Sequence, residues 1–115
     1  MAKLQCFGID SGEDTQRNYD HGIFVPLKVA FPDADIPILQ LSLQSSLDPA
    51  FHAAVGKALA SLRDENIAII GSGLSFHNLR ALGDPSVNAP AAAWDQWLTH
   101  TLCEESAEER ERDII

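Results

Sequence analysis

The sequence predicts an α/β fold with a small, mainly parallel sheet, a βαβ unit and flanking helices. Three consecutive segments carry this prediction. The run at 36–43 is rich in isoleucine and leucine and follows a turn sequence at 32–35, as expected of a buried strand. An amphipathic helix follows, and the short apolar run at 67–71 ends in glycine, as a central parallel strand does. A right-handed crossover would join the two strands.

The helix of this unit has clear signals at both ends. Asp48 before Pro49 is the pairing expected of an N-cap and a first helical position. Asn66 is suited to a left-handed stop. Between them, apolar side chains recur at helical spacing at Phe51, Val55, Ala58, Leu59 and Leu62.

Two further helices are expected at 22–31, where Pro26 limits the first turn, and at 90–103. The acidic stretch at 104–115 is interpreted as a solvated helix end. A chain of 115 residues without repeats or a low-complexity linker predicts a single domain over 1–115.

Composition excludes several classes of function. The chain is 45% hydrophobic and 22% charged, as in ordinary globular proteins, and its 17 acidic against 8 basic side chains give a net charge of −9. That charge repels phosphate backbones and anionic lipid, so neither nucleic acid nor a membrane surface is an expected partner. No apolar run is long enough for a membrane span. Acidic residues interrupt the N-terminal run, so no signal peptide is expected.

The two cysteines lie at opposite ends of the chain. Neither Cys6 nor Cys103 belongs to a CxxC or Cys/His spacing, so neither a disulfide framework nor a zinc finger is indicated. Reduced thiols of this kind predict a cytoplasmic protein.

The segment that leaves the second predicted strand is the first candidate site. It runs from Gly71 through Gly73 to His77, at the sheet edge where ligands bind in open parallel sheets. A dinucleotide fingerprint is rejected, because Phe76 occupies the third glycine position and no acidic residue ends a later strand. Taken alone, His77 could be a hydrogen-bonded structural histidine, which is the interpretation that composition favours.

The second candidate is the Asp-His-Gly motif at residues 20–22. Asp20 could orient the imidazole of His21, and a positioned histidine is the commonest general acid or base. The alternative is a helix-capping Asp20 beside an exposed histidine. His52 and His100 are interpreted as packing or surface residues.

Several linked motifs together resemble the class III extradiol ring-cleavage dioxygenases, and most closely the DOPA-dioxygenase type. The resemblance covers the central part of that family's chain and runs over about 17–102 here. It rests on Asp20-His21-Gly22-Ile23-Phe24-Val25-Pro26-Leu27, Phe31-Pro32-Asp33-Ala34-Asp35-Ile36-Pro37, Gln40-Leu41-Ser42-Leu43, Asp48-Pro49, His52, Ile70-Gly71-Ser72-Gly73, Ser75 and His77-Asn78-Leu79-Arg80.

The resemblance implies a non-haem metal enzyme that opens a catechol ring beside the diol with O2. Fe(II) is the expected metal, with Zn(II) as the alternative. The family's catalytic acid/base maps to His21 and a metal ligand maps to His77. Neutral imidazole suits iron, and an unligated imidazole can accept a substrate proton. Arg80 is a weak candidate for contact with an anionic substrate group, against a surface salt bridge.

The resemblance accounts for only part of the protein ligands that a metal site of this family needs. Such sites need three protein ligands, and only His77 matches one, because two further family histidines have no counterpart here. Three hypotheses stay open: a small dioxygenase completed by its own His52 or His100 or by a neighbouring subunit, a non-catalytic relative that binds a phenolic ligand or a partner, or one half of a split enzyme. Unpaired strand edges and apolar helix faces further predict a homo-oligomer or a complementary chain.

Overall fold

The computed structural model describes residues 2–115, which form helices joined by turns and extended segments. The α-helices of this part of the chain are α1 Ala2–Cys6, α2 His21–Ala30, α3 Pro49–Leu59, α4 Asn88–Cys103 and α5 Ala107–Ile114. Short 3₁₀ helices span Ala60–Glu65, Leu79–Ala81 and Pro85–Val87. The chain divides into two compact units, one ending at Ser72 and the other running from Gly73 to Ile115. The expected single domain stays a prediction.

The predicted helix after the first apolar run is confirmed. Asp48 caps α3 by accepting a hydrogen bond from the Ala50 N–H at 3.1 Å, and Pro49 is the first helical residue. The helix continues as the 3₁₀ segment Ala60–Glu65. Asn66 then adopts the left-handed conformation, with φ of 59°, and ends the segment as expected.

The core of the first unit is small and lies between α1 and α3. Its buried apolar residues are Leu4, Ile9 and Ala58, and half-buried Phe51, Val55 and Leu59 of α3 pack against them. At the rim, the Lys3 ammonium donates to the Ser61 hydroxyl at 2.8 Å and pairs with the Glu65 carboxylate. The helix α1, which the sequence analysis did not predict, therefore supplies part of the core that α3 needs.

No β-strand forms within residues 2–115, so the predicted parallel sheet and βαβ unit are wrong. The two apolar runs at 36–43 and 67–71 are extended, but no strand ladder joins them. Most of their side chains are exposed: Leu39 is 98% and Ile70 59% accessible.

The physical reason is the lack of cover. Parallel strands need both faces buried, and a two-stranded sheet is marginal in water. Among the described residues, the buried core consists of Leu4, Ile9 and Ala58, and Phe51, Val55 and Leu59 of α3 pack against it.

The helices predicted at 22–31 and 90–103 are confirmed as α2 and α4 within about two residues at their starts and one at the end of α2. The acidic stretch differs from expectation, because α4 ends at Cys103 and α5 is a separate helix. Ser106 and Glu109 form a capping box that starts α5. No helix of the described chain is long and apolar enough to cross a membrane.

Candidate active site around the Asp-His-Gly motif

The Asp-His-Gly motif lies where the chain turns into α2. Asp20 has an extended backbone and precedes the helix, and His21 is its first residue, with an exposed side chain. The backbone N–H groups of Ile23 and Phe24 both donate to the Asp20 carbonyl at 3.0 Å. The start of the helix, and with it the position of His21, is therefore set by Asp20.

Two hydrogen bonds join Asp20 to Gln40, and we call this pair the Asp20–Gln40 clamp. The Asp20 N–H donates to Gln40 Oε1 at 3.1 Å, and Gln40 Nε2 donates to Asp20 Oδ2 at 2.7 Å. Next to the clamp, the Tyr19 hydroxyl donates to the Ile38 carbonyl at 2.6 Å. These three bonds hold the extended segment at 36–43 against the motif.

The end of the second apolar run also lies beside the motif. A Cβ added to Gly22 would lie 3.3 Å from Asp20 Oδ1 and 3.8 Å from Ser72 Oγ. Glycine at this position leaves room for the carboxylate of the clamp. Three of the segments that carry the family resemblance therefore meet in the first unit, although no sheet connects them within the described chain.

Asp20 takes neither of the two roles considered from the sequence. Its carboxylate is bonded to Gln40 and makes no hydrogen bond with the His21 imidazole among the described contacts. Its side chain also caps no N–H of α2. Through its hydrogen bonds with Gln40, Asp20 instead ties the backbone beside His21 to a distant part of the chain.

His77 lies in the second unit, where it lines an open cavity of about 360 Å³. Most of the lining is apolar and includes Leu74, Phe76 and Leu82. An acidic member of the lining, Asp84, caps the 3₁₀ helix Pro85–Val87, and the hydrogen bond from the Ser86 N–H lowers the pKa of that carboxyl. The surroundings of His77 are thus an open, mostly apolar depression of the surface with a few polar groups.

Arg80 is exposed on the short 3₁₀ helix Leu79–Ala81. It forms no ion pair with any residue of the described chain, so the surface salt bridge considered as its alternative role is not present there. A contact between Arg80 and substrate stays a prediction.

His52 has both ring nitrogens engaged. Nδ1 lies 2.7 Å from the Asp48 carbonyl, and Nε2 accepts from the Gln44 N–H at 3.1 Å. This pattern places the proton on Nδ1, because a carbonyl accepts and an N–H donates. Ligation of a metal by His52 would break one of these bonds, so the structure favours its interpretation as a packing residue.

His100 is bonded to the carboxylates that follow α4. Nδ1 lies 2.7 Å from Glu104 Oε2 and Nε2 lies 3.7 Å from Glu105 Oε1. The hydrogen bond with Glu104, supported by both negative charges, raises the pKa of His100 above its ordinary value of 6.5. Ligation of a metal through Nδ1 would break the hydrogen bond with Glu104, so the structure favours the interpretation of His100 as a surface residue.

No three His, Cys, Asp or Glu side chains in residues 2–115 lie close enough together to hold a metal ion. A non-haem iron site needs three such ligands. The described residues therefore do not form a complete metal site.

Comparison with known proteins identifies the family. Residues 1–112 match the family of the catalytic LigB subunit of aromatic ring-opening dioxygenase. The chain belongs to this family, and the resemblance to class III extradiol dioxygenases is confirmed. Its members are non-haem metal enzymes that open aromatic rings.

Individual relatives agree with this assignment. The chain is 48% identical over 100 residues to a 4,5-DOPA dioxygenase extradiol of Beta vulgaris, covering 84% of this chain and 37% of that protein. It is 41% identical over 87 residues to the protein of the same name from Escherichia coli (strain K12), covering 73% and 32%. A dioxygenase tasH of Hapsidospora irregularis is 57% identical over 70 residues, covering 60% and 22%. The chain thus spans well under half of each relative's length. No solved structure matches it significantly.

Sequence reasoning missed the role of Gln40. The signal was present, since Gln40 interrupts the otherwise apolar stretch Ile38 to Leu41. Its immediate neighbours Leu39 and Leu41 are exposed while Gln40 is half-buried, so a polar side chain faces inward where an apolar one was expected.

Proposed function

We propose that this chain takes part in extradiol opening of a catechol-type ring with O2, with DOPA among the candidate substrates. The observation that carries the proposal is the meeting of three family segments at His21: the motif itself, the extended segment held by Gln40, and Ser72. The names of the relatives supply the substrate class.

His21 is the proposed acid/base. It is exposed and makes no described hydrogen bond through its ring, so its imidazole is free to accept a proton from a catechol hydroxyl. Its place at the first position of α2 gives it a fixed backbone. A general acid or base needs such a fixed position, because it must lie within hydrogen-bond distance of the proton that it transfers.

His77 is the proposed metal ligand, with Fe(II) as the metal and Zn(II) as its alternative. Because residues 2–115 bring no three ligands together, the proposal requires further ligands from outside these residues. A homo-oligomer or a complementary chain would supply them, and the exposed apolar side chains Leu39, Leu43 and Val29 offer surface for such contact. The two exposed free thiols fit a cytoplasmic location.

A second function is favoured by the same incomplete ligand set. A non-catalytic member of the family would bind a phenolic ring without oxidising it, and the apolar cavity beside His77 is suited to such a ligand. Arg80, which has no ion pair in the described chain, could then contact an anionic group of the ligand.

The experiment compares His77→Ala and His21→Phe with the unmodified chain, purified without oxygen and supplied with Fe(II). We expect His77→Ala to lose the bound metal. His21→Phe should keep the metal while turnover falls by roughly 10²–10⁴-fold, as for a lost acid/base. Metal content is measured by elemental analysis and turnover by oxygen uptake on catechols.

Each outcome separates the alternatives. Metal retained in His77→Ala with the same stoichiometry and affinity would remove its ligand role and show that His77 is structural. A metal-free chain that binds catechols without oxygen uptake would establish the binding module. Absence of both catechol binding and metal would overturn both functions.

A further inference from the structure

Gln40 uses its whole amide group on one residue. Its oxygen accepts from the Asp20 N–H at 3.1 Å and its nitrogen donates to Asp20 Oδ2 at 2.7 Å. The side chain is half-buried, whereas Leu39 and Leu41 on either side are 98% and 57% exposed. The extended segment therefore turns Gln40 toward the motif and its leucines away from it.

The clamp acts on the residue from which α2 begins. The Asp20 carbonyl accepts from Ile23 and Phe24, so any shift of Asp20 moves the first turn of the helix. His21 is the first residue of that turn. Its Cα–Cβ direction consequently depends on where Gln40 holds Asp20.

We propose that Gln40 is a positioning residue that, through the Asp20–Gln40 clamp, fixes the backbone position from which the His21 side chain projects. The proposal rests on the proposed role of His21. A side chain of an otherwise apolar segment thereby positions the start of α2 through a hydrogen bond that spans 20 residues of sequence.

The test uses variants in which the donor and the acceptor of the clamp are first made incompatible and then exchanged between the two residues. Gln40→Glu keeps an acceptor for the Asp20 N–H but sets two carboxylates against each other, which repel. The double variant Asp20→Asn, Gln40→Glu restores a donor–acceptor pair, because the introduced asparagine amide can donate to the introduced carboxylate. Gln96→Glu adds the same charge on the exposed surface of α4 and serves as the control.

The readout is the ring signal of His21 in proton–carbon NMR spectra of the full chain at neutral pH. We expect a single His21 signal at the same position in the unmodified chain and in Gln96→Glu. In Gln40→Glu the signal should shift and broaden, because the start of α2 is no longer held in one position, while the far-UV circular dichroism of the helices is retained. The double variant should recover the original signal.

If the unmodified chain takes up oxygen with a catechol, its turnover provides a second, independent test. Gln40→Glu should lower kcat by roughly 10- to 100-fold with little change in KM, as expected for a misplaced group, and the double variant should regain most of it. An unchanged His21 signal in Gln40→Glu, or no recovery in the double variant, would overturn the positioning role. Absent turnover in the unmodified chain would instead count against the proposed function and leave the NMR result to decide this one.

Discussion

The motif region at 19–72 and the helical region at 84–115 are stabilised over different distances along the chain. In the helical region, contacts close within a few residues: Asp84 accepts from the Ser86 N–H, and Ser106 and Glu109 cap α5. The Arg110 side chain donates to the carbonyls of Thr101 and Glu105 at 3.2 and 3.1 Å. These contacts satisfy helix ends that would otherwise be left without partners.

The motif region depends on contacts between distant residues. The Tyr19 hydroxyl reaches the Ile38 carbonyl, Asp20 bonds to Gln40, and Gly22 lies beside Ser72. These contacts place the motif but do not bury the extended runs. A helix can therefore be completed by its neighbours in sequence, whereas an extended run needs a partner surface.

The largest expected effect is a difference in the free energy of unfolding between a substitution in the core and one in an extended run. Leu4→Ala removes a buried side chain and should lower the free energy of unfolding by about 2–5 kcal/mol. Leu39→Ala, at a 98% exposed position, should change it by less than about 0.5 kcal/mol. Urea unfolding followed by far-UV circular dichroism measures both. A loss as large for Leu39→Ala would mean that the extended run is packed in solution.

A smaller effect of opposite sign is expected at Thr101 in α4. Its side chain is fully buried, and its hydroxyl has no hydrogen-bond partner in the described chain. Thr101→Val keeps the shape and removes the unsatisfied group, so the second unit should gain about 1–2 kcal/mol. Thr99→Val, at an exposed position, is the matched control. Urea unfolding followed by fluorescence of Trp94 and Trp97 reports on α4, and a destabilised Thr101→Val would show that the hydroxyl is bonded.

The capping box predicts a loss of about 1 kcal/mol in Ser106→Ala, because Ala cannot accept from the Glu109 N–H. The helical signal of α5 in NMR should fall while that of α3 is unchanged. Ser45→Ala, in the turn before α3, should leave both helices as they are. Equal helicity of α5 in both variants would contradict the role of the box.

The smallest effect is a pH dependence at the end of α4. Because Glu104 raises the pKa of His100, the pair adds stability below about pH 6.5, the ordinary value. That contribution is lost as the pH rises through the higher pKa of the folded chain. Both side chains are largely exposed, so the change should be small. Glu104→Gln should shift the NMR titration of His100 to lower pH, and an unshifted titration would refute the ion pair.

Elements that depend on contacts between residues close in sequence could be predicted, whereas those that depend on contacts between distant residues could not. The start of α3 and the end of the 3₁₀ segment that continues it could be predicted from Asp48, Pro49 and Asn66, because each acts within one or two turns. The site motif was also visible, since His21 and His77 lie in family segments that are present in this chain. The role of Gln40 was not, because its partner is distant in sequence and only the fold shows that the two meet.

The sequence by itself determined the family, the main helices and their ends, and the candidate histidines, since propensities, caps and motifs are local properties of the chain. Tertiary structure decided the rest. It left the runs at 36–43 and 67–71 extended but unpaired, because the small core between α1 and α3 covers neither face of a sheet. It also set Asp20 on Gln40, since a hydrogen bond between distant residues forms only where the fold brings donor and acceptor together.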